Sequence, residues 1–108
     1  MDLDRAFPCL GKEARLISKT YSYTTKGFWK LHEALPEQTQ RRAKAAYRRF
    51  QEDPWHPSLQ FKQVHEVKPI YSARISRDYR AVGIKEADEI VWFWIGSHSD
   101  YDNLLSRL

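Results

Sequence analysis

The stretch WFWIGSHSDYDNLL, residues 92–105, sets a histidine and a tyrosine three positions apart behind a run of bulky apolar side chains. An imidazole gives or takes a proton near neutral pH, and a phenol can position or protonate an oxygen. His98 and Tyr101 are therefore candidates for acid–base work. Asp100 and Asp102 stand close by as carboxylate partners that would suit His98 as a general acid. A histidine just past a strand is also a common structural hydrogen-bonder, and that alternative stays open.

A second constellation is cationic. In IYSARISR, Tyr71, Ala73 and Ile75 alternate with Ser72, Arg74 and Ser76, so a strand here packs one face and presents arginine on the other. Arg80 opens the next extended run, YRAVGIK, and antiparallel pairing can bring the two guanidiniums together. Lys62 on the preceding run can join them. Cations gathered on a partly covered sheet surface suit an anion, and guanidinium forks match phosphate. The competing reading is a set of solvated charges paired with Glu66, Asp78 and Glu86.

Other chemistries find little support. His56, His65 and His98 lack metalloprotease spacing and Cys9 is the one cysteine, so neither a metal site nor a cofactor is expected. There is no glycine-rich phosphate loop, and Ser97 has no nucleophile-elbow context. Trp92 and Trp94 are expected on one strand face with Phe93 on the other, as core rather than as base-stacking platforms. Trp29 and Trp55 are expected to cover a helix hairpin and its exit loop.

The elements that must position these groups follow from periodicity. Leu16 to Thr25 is rich in β-formers and reads as a strand. Phe28, Leu31 and Leu35 recur at helical spacing up to Pro36. Ala43, Ala46, Tyr47 and Phe50 then form an apolar stripe opposite a face carrying Arg41, Lys44 and Arg48. DPWHPSL is a loop, and FKQVHEV, IYSARISR, YRAVGIK and EIVWFWI read as a meander. Ile90 to Ile95 are apolar at every position, which implies a central strand covered on both faces. The expected fold is α+β, with an N-terminal strand and a two-helix hairpin on one face of a mainly antiparallel sheet of four to five strands. Gly96 is expected to bend the chain where the last strand ends, leaving His98 and Tyr101 on a loop.

Length and charge bound the rest. A chain of 108 residues makes one domain, here residues 17–108 behind an arm over residues 1–16. Apolar runs fall far short of the roughly 20 residues that span a bilayer, and the acidic start is unlike a signal peptide, so a reducing, cytoplasmic setting is expected. The net charge of +4 is uneven: residues 37–52 hold five basic residues against two acids, and residues 86–103 hold five acids with no Lys or Arg. That asymmetry suits a polyanion or an acidic protein as partner, and it is also a common solubility device.

LPEQTQRRAKAAYRRFQEDPWHPSLQFK, YSARISRDYRAVGI and DEIVWFWIGSHSDYDNLL together resemble the RelE/ParE superfamily of bacterial toxins from type II toxin–antitoxin pairs, over about residues 17–106. The most telling features are the P-x-H-P-S-L loop with a lysine soon after, S-x-R-I followed by Y-R-A-V-G, and the closing G-x-H-x-x-Y. The resemblance implies a concave basic surface opposite the helices. In the RelE branch that surface takes messenger RNA in the ribosomal A site and cuts it without a metal, by attack of the 2′-hydroxyl on the adjacent phosphate. By motif match, Arg80, Arg74, His98 and Tyr101 become catalytic and Lys62 RNA-binding, and Arg77 is expected to bind RNA with it. Antitoxins of this class imply the basic helix face at Arg41, Lys44 and Arg48 as a seat for an acidic antitoxin, with plain solvated helix charge as the equal alternative. Glu66 lies near a known acid/base position but out of register, so the general base is unassigned. Two alternatives stand beside the mRNA interferase: a ParE-like inhibitor of DNA gyrase, and an inactive toxin fold that only binds. A homo-oligomer is only weakly implied.

Overall fold

The computed structural model describes residues 20–108; the expected arm over residues 1–16 and the start of the first strand lie outside the described residues. The chain runs through β1 (Tyr21–Thr24), α1 (Lys26–Glu33), α2 (Glu37–Glu52), a 3-10 turn (Pro57–Leu59), β2 (Lys62–Gln63), β3 (Ile70–Ser76), β4 (Tyr79–Glu86), β5 (Glu89–Ser97) and α3 (His98–Arg107). The five strands form one sheet in the order β1-β5-β4-β3-β2. All neighbours are antiparallel except β1, which pairs parallel to β5. This is the expected α+β architecture, with one helix more than the sequence reading placed.

The helix hairpin packs on one face of the sheet. Thr25 caps α1 by accepting a hydrogen bond from Phe28 N at 3.1 Å, and Pro36 separates the two helices. Below them Phe50, 2% exposed, stands edge-on to Phe61 and Trp92 at ring separations of 5.0 and 5.4 Å. β1 brings two hydroxyls into this core, and indole donors satisfy both: Trp92 Nε1 donates to Ser22 Oγ at 3.0 Å and Trp29 Nε1 to Thr24 Oγ1 at 2.7 Å. Trp29 packs on the core as expected. Trp55 instead remains 54% exposed, touching Phe61 from the exit loop.

The opposite face is covered by α3, which replaces the expected loop. Ser97 caps it, its Oγ accepting from Asp100 N at 3.2 Å. Tyr101, Leu104, Leu105 and Leu108 follow at i, i+3, i+4 and i+7 and close over Ile70 and Val82. β5 is thus buried on both faces, as its unbroken apolar run required.

The tryptophans of β5 part company. Val82 pairs with Trp94 and Gly83 with Trp92, so Phe93 is an extra residue in a bulge. Trp92 therefore enters the hairpin core, while Phe93 and Trp94 pack beside α3. Gly83 makes the bulge possible, because a Cβ there would stand 2.8 Å from the carbonyl oxygen of Val91. Gly96 does not bend the chain. It leaves room for the Trp94 indole, which would lie 2.7 Å from a Cβ at that position. The expected run FKQVHEV also shortens to Lys62–Gln63, since His65 Nδ1 accepts from Val67 N at 3.1 Å and Lys68 N at 2.9 Å and rolls the chain into a turn.

Candidate functional site

Strand register decides which side chains meet. Arg74 of β3 pairs directly with Arg80 of β4, so the two lie side by side on one face. That face is the α3 face: the flanking Ala73 and Ala81 pack into the hairpin core, and Ser72 touches α3. Arg80 in turn pairs with Gly96, two residues before His98. The backbone N–H of His98 donates to Asp78 O at 2.7 Å, which ties the start of α3 to the β3–β4 turn. Arg74, Arg80 and His98 are thereby gathered at one end of the sheet.

Arg80 is held rather than free to wander. Its Nη1 donates to the carbonyl oxygens of Ser76 at 2.7 Å and Tyr79 at 3.0 Å, with Arg77 O at 3.4 Å. The turn thus fixes one arm of the guanidinium, and among the described residues its other N–H groups make no hydrogen bond, which leaves donors for an anion. Glu66, Asp78 and Glu86 pair with none of these cations: among the described residues, Arg74, Arg77, Arg80 and Lys62 make no ion pair. An unneutralised pair of adjacent guanidiniums costs repulsion that a bound anion removes.

His98 occupies the first turn of α3, with its ring about half exposed and its Nδ1 3.3 Å from Asp102 Oδ2. A proton shared on that side leaves Nε2 for chemistry. Tyr101, only 7% exposed, lies beneath it with its ring edge-on to the imidazole at 5.6 Å. Its hydroxyl donates to Ser72 Oγ at 3.2 Å, in a buried contact. Lys62 pairs with Ser72 from the sheet edge and is exposed, and Arg77 is exposed in the β3–β4 turn. Asp100 supplies its N–H to the helix cap.

The basic residues of α2 sit elsewhere. Lys44 and Arg48 rim an apolar groove of about 370 Å³ between the hairpin and the sheet, which Trp29, His32 and Tyr47 also line. Arg41 lies on the outer surface, 3.4 Å from Glu37. Burial, helped by the nearby Lys44 charge, lowers the His32 pKa below 6.5, with Gln40 and Glu33 opposing. Burial raises the Tyr47 phenol well above its usual range, with Ser22 and Gln51 opposing.

Sequence reading passed over Ser72, which anchors Tyr101, and Ser97, which caps α3. The second had a signal, a serine three residues before an acid at the head of an apolar stripe. The first had none, because a serine on the polar side of a strand shows no mark of what will cover it.

A family model described as a ParE-like toxin domain matches residues 37–103. No curated protein matches the chain. Among solved structures, the fold is similar to a chain of the RelB-RelE antitoxin-toxin complex from Methanococcus jannaschii, with TM-score 0.62 and 17% identity over 75% of this chain and 95% of that one. It is similar to YafQ from E. coli, with TM-score 0.61 and 9% identity over 77% and 98% of the two chains. For the YoeB/ParE toxin from Agrobacterium tumefaciens the values are 0.56 and 13%, over 73% and 99%.

Proposed function

The chain belongs to the ParE-like toxin domain family, and from that premise we propose that it is the toxin of a toxin–antitoxin pair, acting as an endoribonuclease on messenger RNA at the ribosome. The observation that carries this reading is the Arg74–Arg80 pair, without a carboxylate partner among the described residues, at the same end of the sheet as His98. A phosphodiester on the two guanidiniums would have its in-line attack prepared by the substrate itself. The ribose 2′-oxygen forms a bond to phosphorus, the bond to the 5′-oxygen breaks, and a 2′,3′-cyclic phosphate and a free 5′-hydroxyl result. Arg74 and Arg80 offset the charge that grows on the phosphorane. His98 donates a proton from Nε2 to the departing 5′-oxygen, with Asp102 holding its other nitrogen. Tyr101, its hydroxyl committed to Ser72, acts by fixing the floor on which the imidazole rests. Lys62 and Arg77 contact flanking phosphates.

The partner follows from the other side of the molecule. An antitoxin segment with an apolar face and acidic flanks suits the groove rimmed by Lys44 and Arg48, with Arg41 on the adjoining helix surface. The solved relatives include RelB-RelE complexes, which supports a protein antitoxin as that partner. No described helix is long and apolar enough to cross a membrane, which fits action in the cytoplasm.

Induced expression tests the reading. Translation should stop, with messages cut at the ribosome, and Arg80→Ala and His98→Ala should each relieve it while thermal unfolding stays near that of the parent. Loss of one charge-stabilising donor should slow cleavage on the order of 10²–10³-fold. Unabated killing by both variants would overturn the site. A second reading, inhibition of DNA gyrase, is favoured by the ParE-like description of the family itself. It requires filamentation and DNA damage with intact messages.

A further inference from the structure

A second cluster of arginines lies around the edge of the sheet from the site just described. β2 pairs only with Tyr71 and Ser72, so among the described residues no strand flanks residues 73–76 of β3 on their outer side. Beside that edge, α2 and the 3-10 turn bound a groove of about 420 Å³. Arg42 and Arg49 line it from the helix, and Arg74 and Arg77 from the strand and its turn. We propose that this groove is a second phosphate-backbone site, over which the RNA strand leaving the Arg74–Arg80–His98 site continues past the sheet edge.

Three observations carry this. Among the described residues no carboxylate lines the groove and none of its four arginines is ion-paired, so no described side chain neutralises them. Arg42 and Arg49 are two helical turns apart, roughly 10 Å along the axis, so they meet separate phosphates of one strand. Arg49 is pre-aimed, its Nη1 donating to Ser58 Oγ at 3.2 Å while Ser58 N donates to His56 Nδ1 at 3.1 Å. The PWHPSL loop thus acquires a purpose beyond connection: it seats the arginine. Arg74 belongs to both regions, pairing with Arg80 on one side and bordering the groove on the other, which makes the two cationic surfaces continuous.

The apolar part of the lining gives a peptide little to grip. Ala46 and Leu59 are 6% and 1% exposed, which leaves the small Ala45 and the half-buried Ile75 as the apolar side chains that reach the surface. Four arginines outweigh these two, so binding here comes mainly from charge, and a backbone of regular phosphates supplies it with counterion release.

This inference rests on the proposed RNA reading, and the test separates the two. Affinity for 2′-O-methyl single strands, which cannot be cut, is measured against salt for a short strand spanning the scissile step and for one long enough to cross the sheet edge. The wild-type chain should bind the long strand with the steeper salt dependence. Arg42→Gln with Arg49→Gln should lower the slope of log K against log salt for the long strand by about 1.4, at ~0.7 per lost phosphate contact, and leave the short strand unaffected. Arg77→Gln, on the opposite wall, should lower it by about half as much. An unchanged slope for the long strand in variants with the parent's thermal midpoint overturns the proposal, as does loss of binding to an acidic peptide alone. A wild-type chain that shows the steeper slope yet cuts no message would end the nuclease reading and leave the groove standing.

Discussion

The two faces of the sheet are built to different standards. On the hairpin face, Phe50, Phe61, Trp92 and their neighbours interlock as a ring-to-ring core, and the buried hydroxyls of Ser22 and Thr24 are matched by indole donors. On the α3 face a single ten-residue helix covers a smaller cluster, and the half-buried Arg74 and Arg80 lie outside that cluster. The difference teaches a division of labour. Stability concentrates where aromatic area is greatest, which lets the other face carry like charges and a half-exposed histidine without unfolding the domain.

The largest effect that could break this contrast is in the hairpin core. Phe50→Ala removes a ring almost wholly out of water and should cost about 3–5 kcal/mol in chemical denaturation, with every probe moving together. A loss below about 1 kcal/mol would mean that the faces contribute equally.

Much of this architecture was legible, and the failures have physical causes. The hairpin, the meander and the Arg74–Arg80 alliance follow from period alone, since strand alternation puts residues two apart on one face and antiparallel register does the rest. Trp92 and Trp94 were misplaced because a bulge resets that alternation by one residue, and the enabling Gly83 marks itself only once the partner strand is present. α3 was missed although its leucine spacing is clear: the acids and the glycine before it resemble loop chemistry. The fixing of Arg80 by turn carbonyls was out of reach, because main-chain acceptors carry no residue identity.

A smaller change sharpens the comparison on the α3 side. Tyr101→Phe keeps the ring and deletes the hydroxyl that reaches Ser72, so stability should fall by only about 1 kcal/mol. The consequence should be local. Amide exchange should quicken along α3 while β5 amides opposite the hairpin keep their protection, and His98, resting edge-on against that ring, should lose some catalytic alignment. Equal quickening on both faces would show that α3 is part of one indivisible core.

The smallest effect is electrostatic and belongs to the hairpin face. His32 is 5% exposed, stacked on Phe28 with Trp29 at its edge, and burial followed by the Lys44 charge lowers its pKa from 6.5. The folded protein therefore binds fewer protons than the unfolded chain between the lowered value and 6.5, and stability must rise with pH across that window. The contribution is complete above the unfolded value and fades as pH falls through the folded one. Denaturation midpoints measured on both sides of 6.5 should decline on the acid side, and His32→Gln should flatten that decline. Gln40 and Glu33, which favour the charged ring, limit its size. The decline belongs to the ring packed under the hairpin, because burial there works against its charged form while the unfolded chain leaves that form in water.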